Sequence, residues 1–190
     1  RIEIEGPGQP IGRQDQYAAA FGGVNSISFG PDGVGIEPLE LSAFTVKRLG
    51  EELTLVFTGL SRSASEVLSE APDDPADKTA RLRAIRAQAD EARGMLESGD
   101  ILGLGGLLND AWEAKRGISA SVSGDEIDAL HVRIMDLDAT GAKLLGAGGG
   151  GFFLVHGDAD LRVRLAELGP AHRTIPLEVD HIGSTIIHED

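Results

Sequence analysis

The feature that most constrains the fold is a run of glycines late in the chain, Gly146-Ala147-Gly148-Gly149-Gly150-Gly151. Five glycines in six positions cost backbone entropy that a simple connector could avoid. A run without Cβ atoms lets another backbone segment or a ligand come close. We therefore predict that something packs tightly against this loop, rather than that the loop only connects a helix to a strand.

The glycine run also matches the dinucleotide-binding pattern G-x-G-x-x-G at positions 146, 148 and 151. That fingerprint requires a strand before the loop and a helix after it, so that the helix N-terminus faces the pyrophosphate. Here a capping box of Ser123 and Glu126 predicts a helix that runs towards Leu145, and a strand follows at residues 152–155. This order does not suit a dinucleotide site, and no Gly-Lys-Ser/Thr completes a Walker A loop.

Composition restricts the class of protein and the kind of partner. The 190 residues are 41% hydrophobic and 25% charged, as in a soluble globular protein. A formal net charge of −14 disfavours nucleic-acid and anionic-membrane partners, because both need clustered cations. The absence of cysteine excludes disulfides and thiolate metal sites, and the five histidines show no i, i+4 pair for a metal. No apolar run approaches the roughly 18 residues needed to cross a bilayer, and the lack of cysteine leads us to expect a cytoplasmic location.

Hydrophobic periodicity and turn signals predict an α+β fold with an antiparallel sheet. A long helix that begins near Pro75 and ends at Gly99 should bury one face, because its apolar residues recur at spacings of three and four. These residues are Leu82, Ile85, Ala89, Ala92 and Leu96. Further helices are predicted at residues 64–70, 101–112 and 160–168, and further strands at 24–29, 34–36, 53–57, 174–179 and 184–187.

The best catalytic candidate lies near the start of the sequence, in Gly12-Arg13-Gln14-Asp15-Gln16-Tyr17. Asp15 stands between two amides and close to a cation, on a glycine-opened turn before a short alanine helix. This setting suits a carboxylate that accepts or orients a proton. It equally suits an aspartate that only caps the helix, and the residues alone leave both interpretations open.

Three cations are candidates for binding a phosphate. Arg62 follows Thr58-Gly59-Leu60-Ser61 where a strand ends and a helix begins, and free N–H groups there attract anions. The residues alone favour a capped helix with an exposed arginine. Lys115 and Arg116 end another helix, where cations suit the helix dipole without any ligand. Trp112 in that helix is predicted to lie in the core.

Taken together, these segments resemble the GHMP small-molecule kinase superfamily, and closely its heptose 7-phosphate kinase branch. The resemblance extends over essentially the whole sequence. Gly12–Tyr17 resembles the catalytic-loop signature of the branch, and Lys143–Phe152 resembles the third, glycine-rich motif of the superfamily. The remaining similar segments are Phe57–Arg62, Trp112–Arg116, Ile175-Pro176 and Gly183-Ser184.

The resemblance implies ATP-dependent phosphorylation of the anomeric hydroxyl of a heptose 7-phosphate, which gives the 1,7-bisphosphate. By analogy Asp15, with Arg13, acts at the hydroxyl that receives the γ-phosphate, and the glycine loop supports the phosphate and the substrate. Such chemistry depends on positioning and charge neutralisation, with Mg²⁺ carrying much of it. The implied substrate-binding residues are Gln14, Gln16, Arg62, Ser63, Lys115 and Arg116. The implied phosphate loop comprises Gly146, Gly148, Gly149, Gly150 and Gly151.

One departure from the family is clear. The Pro-x-x-x-Gly-Leu-x-Ser-Ser motif that wraps the ATP phosphates does not occur in this sequence. We therefore expect residues 1–48 to be a remnant of the N-terminal domain and residues 49–190 to be the C-terminal domain. Magnesium ligands are expected mainly from an N-terminal half, so this chain alone should be inactive and should pair with a second copy or with a complementing N-terminal chain. The alternatives are a non-catalytic substrate-binding or regulatory module, and a kinase for another sugar.

Overall fold

The computed structural model describes residues 13–61, 75–119 and 121–185, with the side chains of residues 75–78 excepted. The α-helices are α1 (Gln14–Phe21), α2 (Ala43–Glu52), α3 (Pro75–Ser98), α4 (Leu104–Arg116), α5 (Asp125–Met135) and α6 (Leu161–Leu165), which continues as a 3₁₀ turn (Ala166–Leu168). The strands are β1 (Asn25–Gly30), β2 (Gly33–Pro38), β3 (Leu53–Phe57), β4 (Gly141–Leu144), β5 (Phe152–His156) and β6 (Thr174–Pro176).

The strands form two antiparallel sheets. Strands β1 and β2 make a hairpin whose last pair is Gly30 and Gly33, so the strands predicted at residues 24–29 and 34–36 are confirmed. The second sheet has the strand order β4-β5-β3-β6, and all of its neighbouring strands are antiparallel. The predicted α+β class with an antiparallel sheet is therefore confirmed.

Each face of the four-stranded sheet is covered by its own apolar cluster. On one face Val56, Leu144 and Phe153 pack with Trp112 of α4, which is fully buried, so its predicted core position is confirmed. Helix α5 adds Ile127, Leu130 and Ile134 to this cluster. The second cluster consists of Leu49, Leu53, Ile101 and Leu104. Helix α2 leads directly into β3 and runs through the predicted domain boundary at residue 48, so the division of the chain into two domains stays a prediction.

Residues 141–144 form strand β4, and the prediction of a helix running towards Leu145 is wrong. Helix α5 ends at Met135, and Asp138 then takes a left-handed backbone conformation (φ 61°) that stops the helical path. Pairing with β5, for example Ala142 with Val155, then decides the conformation. The predicted capping box is also wrong: Gly124 is the N-cap residue, and the Ser123 hydroxyl donates to Asp128 instead.

The apolar face of α3 is less buried than predicted. Leu82 is 48% exposed, because the core reaches only the C-terminal end of this helix, at Met95 and Leu96. Further towards its N-terminus, Ile85 and Ala89 line a cavity instead.

The remaining differences concern element ends. Helix α4 begins at Leu104, strand β6 ends at Pro176, and residues 184–185 are not in a strand. The predicted helix at 64–70 and the residues at 186–187 lie outside the described residues. Within the described ranges, no helix combines the length and apolar character that a bilayer span requires.

His156 should make folding sensitive to mild acid. It is 1% exposed, its Nδ1 lies 2.5 Å from the Thr140 hydroxyl, and its Nε2 lies 3.3 Å from a Glu52 carboxylate oxygen. Burial lowers the pKa of His156 below its ordinary 6.5 despite the opposing effect of Glu52, and burial also lowers the pKa of His131. As the pH is lowered, these histidines therefore take up protons in the unfolded chain before they do so in the folded chain. The free energy of unfolding should consequently fall as the pH drops below about 6.5.

Urea unfolding between pH 7.5 and 5.5 measures this dependence. His156→Asn should flatten it, whereas His181→Asn, at an exposed histidine, should leave it unchanged. If the free energy of unfolding stays constant or rises as the pH is lowered from 7.5 to 5.5, the burial of His156 in its neutral form is contradicted.

Candidate active site

The predicted catalytic segment forms the start of helix α1. Arg13 is the N-cap residue and makes no side-chain capping bond, while Asp15 lies in the first helical turn and is exposed. Asp15 is therefore not the N-cap residue, and the interpretation of it as a simple cap does not hold. The helix ends at Gly22, whose φ of 64° suits a residue without a Cβ atom.

Contacts at both ends fix this short helix in place. The guanidinium carbon of Arg13 lies 5.3 Å from the centroid of the Phe29 ring in β1, and the Tyr17 ring packs edge-on against the same ring at 5.9 Å. At the other end, the Ser184 backbone N–H donates to the carbonyl of Ala20. The helix is thus held between the hairpin and a late segment of the chain, with the Asp15 carboxylate facing solvent.

The glycine loop joins β4 to β5 and depends on residues that lack a Cβ atom. All five glycines have positive φ, from 66° at Gly146 to 158° at Gly150. A Cβ atom on Gly150 would lie 2.8 Å from the carbonyl oxygen of Leu60, and one on Gly148 would lie 2.8 Å from the Cα of Val122. The predicted close approach is confirmed, and at these two positions the chain's own backbone approaches.

Hydrogen bonds tie the loop to those two neighbouring segments. The Thr58 hydroxyl and backbone N–H both donate to the Gly151 carbonyl, at 3.0 and 2.9 Å. The Gly151 N–H donates to Leu60, and the Gly149 N–H donates to Val122. No described residue accepts a hydrogen bond from the N–H of Gly146, Ala147 or Gly148. Successive N–H groups in such a loop suit an anion.

Helix α4 holds the strand that leads into this loop. The amide of Asn109 accepts from the Ala142 N–H (3.0 Å) and donates to the Thr140 carbonyl (3.2 Å). One turn or more further on, the Lys115 ammonium donates to the carbonyls of Leu144 (2.8 Å) and Gly146 (2.7 Å). These side chains form hydrogen bonds with backbone groups along the outer edge of β4, an edge that would otherwise be free to pair with another strand.

The two cations at the end of α4 differ in their surroundings. Burial, with a smaller contribution from the charge of Lys143, lowers the pKa of Lys115 to about 8. Arg116 lies within ion-pair distance of Glu113 (3.2 Å) and Asp128 (3.3 Å). Their predicted role in phosphate binding stays a prediction. The third predicted phosphate-binding cation, Arg62, lies outside the described residues, and so do Ser63, which is predicted to bind substrate, and Gly12.

A cavity of about 1110 Å³ contains one residue of the catalytic segment and one of the glycine-rich motif, although neither Asp15 nor the loop glycines line it. It lies between the hairpin and helices α3 and α4, and both Gln14 and Lys143 line it. The sequence alone does not identify Lys143 as a site residue, because its position depends on β4 being a strand. In that strand it alternates with Ala142 and Leu144, whose side chains enter the core.

The described residues offer no evident metal site. Among them, no group of three or more histidine, aspartate or glutamate side chains is placed to hold a metal ion. In the predicted catalytic segment, Gln16 interacts with other residues of the chain, whereas Asp15 is exposed.

Comparison with known proteins shows what the chain is similar to. No family model matches the chain. The chain is 31% identical over 167 residues to D-glycero-α-D-manno-heptose 7-phosphate kinase of Campylobacter jejuni, covering 86% of this chain and 49% of that one. The crystal structure of a Campylobacter jejuni protein described as a sugar kinase superposes with a TM-score of 0.68 at 29% identity, over 96% of this chain and 53% of the other. This chain is a relative of the GHMP kinases.

Other GHMP kinases agree with this assignment. A mevalonate kinase of Aeropyrum pernix is 30% identical over 162 residues, covering 76% of this chain and 49% of that protein. Lactococcus lactis galactokinase, at 19% identity and a TM-score of 0.59, shares the fold. The predicted resemblance to the GHMP kinases and their heptose 7-phosphate branch is confirmed. The chain spans about half the length of the heptose 7-phosphate kinase and of the mevalonate kinase.

Proposed function

We propose that this chain carries the catalytic loop and the glycine loop of an ATP-dependent sugar-phosphate kinase. The proposed reaction phosphorylates the anomeric hydroxyl of a heptose 7-phosphate and yields the 1,7-bisphosphate. The observation that best supports the proposal is that Gln14, adjacent to Asp15, and Lys143, in the strand that leads into the glycine loop, line one cavity. The heptose 7-phosphate kinase of Campylobacter jejuni supplies the substrate class.

Each motif has a separate part in the proposed chemistry. The Asp15 carboxylate accepts or orients the proton of the anomeric hydroxyl, and Arg13 adds positive charge beside it. The N–H groups of Gly146 to Gly148 bind phosphate oxygens, and the Lys115 ammonium fixes the carbonyl side of this loop. ATP, when bound, supplies the transferred phosphoryl group.

Magnesium and most of the ATP site are proposed to come from the phosphate-loop half that GHMP kinases contain. We expect this chain alone to be inactive and to bind ATP only at millimolar concentration, about −4 kcal/mol. A complementing chain or a second copy would also cover Phe21 and Phe29, which are 52% and 42% exposed.

Complementation tests the proposal. This chain is mixed with the N-terminal half of the Campylobacter jejuni heptose 7-phosphate kinase, and ADP release is measured with heptose 7-phosphate, galactose and mevalonate. We expect turnover to require both halves and to favour heptose 7-phosphate at least a hundredfold. Preference for galactose would indicate a kinase for another sugar. Binding of heptose 7-phosphate without turnover of any substrate would indicate a non-catalytic module, and micromolar binding of Mg·ATP by this chain alone would contradict the divided site.

A further inference from the structure

The cavity between the hairpin and helices α3 and α4 contains cations that the proposed chemistry does not use. Its volume of about 1110 Å³ is sufficient for a small-molecule ligand, since such sites commonly measure about 300–1,000 Å³. An ion pair between Arg93 of α3 and Glu37 of β2, at 2.6 Å, ties the helix to the hairpin at this cavity. The cavity therefore has walls from separate parts of the chain, joined at this point by an ion pair whose two side chains are exposed.

Lys143 has the clearest need for an anionic partner. It is half-buried, and no described carboxylate lies within ion-pair distance of its ammonium group. Burial lowers the pKa of Lys143, as expected for an ammonium that has lost water without gaining a counter-ion. Its neighbour Lys115 differs, because two backbone carbonyls accept hydrogen bonds from that ammonium group.

A second unpaired cation lines the same cavity. Arg86 of α3 is exposed and has no ion-pair partner among the described residues, whereas Arg93 is engaged by Glu37 and Glu97. The charged side chains that line the cavity are Arg86, Arg93, Lys143, Asp32 and Asp90. Because Arg93 is engaged, Lys143 and Arg86 are the two cations of this lining without an ion-pair partner among the described residues.

Uncharged groups in the cavity favour a ligand with hydroxyl groups. Gln88 lines the cavity, and its Oε1 atom is buried and accepts no hydrogen bond from any described residue. A buried acceptor without a donor is costly, and a sugar hydroxyl would supply the donor. Gln14 adds a second amide to the same cavity.

We propose that this cavity binds the phosphate-bearing end of the sugar phosphate, with Lys143 and Arg86 on the phosphate and Gln88 on a sugar hydroxyl. The proposal rests on the proposed function for the identity of the sugar. It assigns the phosphate to cations that lack a partner, rather than to Arg116, which has two carboxylates beside it.

Calorimetric titration of the chain tests the assignment. The probes are D-glycero-D-manno-heptose 7-phosphate, unphosphorylated heptose, inorganic phosphate and ATP. Lys143→Gln and Arg86→Gln should each weaken sugar-phosphate binding at least tenfold and leave the unphosphorylated sugar unaffected, while Lys143→Arg should retain most of the affinity. The matched controls are Lys47→Gln and Arg83→Gln, at exposed positions outside the cavity, and both should stay within twofold of the parent.

The outcomes separate this inference from the proposed function. Lys143-dependent binding of inorganic phosphate without binding of heptose 7-phosphate would support the phosphate site and contradict the proposed sugar. Normal sugar-phosphate binding by Lys143→Gln and Arg86→Gln would overturn the phosphate site and leave the proposed function standing. The inference would be overturned if the parent chain bound neither heptose 7-phosphate nor inorganic phosphate. It would also be overturned if Lys143→Gln weakened the binding of ATP alone. If Lys143→Gln lowers the melting temperature, Arg86→Gln, at an exposed side chain, decides the test.

Discussion

Asp15→Asn should lower kcat by about 10²–10⁴-fold, equivalent to roughly 3 to 5 kcal/mol, in the complemented kinase. Asparagine keeps the shape and the hydrogen bonding of aspartate but cannot accept the proton or carry the charge. The lost interaction belongs mainly to the transition state, so the affinity for the sugar phosphate should survive. Asp15 lies in the first turn of α1, and loss of its favourable interaction with the helix dipole should cost only about 0.3–1 kcal/mol of stability.

The measurements are kcat, sugar-phosphate affinity and melting temperature on the same preparation. Asp110→Asn is the matched control, because Asp110 is exposed on α4 and lies outside the cavity. A kcat within about threefold of the parent would show that Asp15 is not the proton acceptor or its organiser. A large fall in melting temperature would show instead that its role is structural.

Gly141→Ala should destabilise the folded chain by about 3 kcal/mol, because the added methyl group has no space. A Cβ atom on Gly141 would overlap the carbonyl group of Gly105, where helix α4 crosses β4. Backbone atoms on both sides cannot move aside as a flexible side chain would. For a chain of this size, we expect the melting temperature to fall by about 6–12 °C.

Gly106→Ala is the control for this substitution. Gly106 follows Gly105 within α4, and a Cβ atom there would meet nothing within 4 Å. Alanine costs less backbone entropy than glycine in a helix, so Gly106→Ala should stabilise the chain by up to about 1 kcal/mol. Equal effects of the two substitutions would contradict the close packing of α4 on β4.

Elements with local signals could be predicted from the sequence. Gly30-Pro31-Asp32-Gly33 specifies the hairpin turn, and the apolar run Leu53–Phe57 specifies β3. Strand β4 could not be predicted, because only pairing with β5 specifies its four residues. In the sequence, the helical spacing of Ile127, Leu130 and Ile134 continues beyond the end of α5. The left-handed residue that interrupts the helix, Asp138, has no clear signal in the sequence.

The candidate site shows the same division between local and non-local information. Five glycines are sufficient to predict a close approach to this loop. They do not identify which segment approaches it, since Thr58 and Gly151, which are hydrogen-bonded, are 93 residues apart in the sequence. Lys143 was missed because its placement follows from β4. The surroundings of Lys115 likewise depend on packing of α4 against that strand, which no spacing in the sequence reveals.

Identifying the hydroxyl that receives the transferred phosphate tests the central proposal most directly. ³¹P NMR of the complemented kinase with ATP and heptose 7-phosphate should show a new phosphate ester coupled to the anomeric proton, while the original 7-phosphate signal persists. The same mixture prepared with Asp15→Asn should show little of the new signal over the same time. ATP consumed to give only inorganic phosphate, or a new ester on any other hydroxyl, would contradict anomeric phosphorylation by this chain.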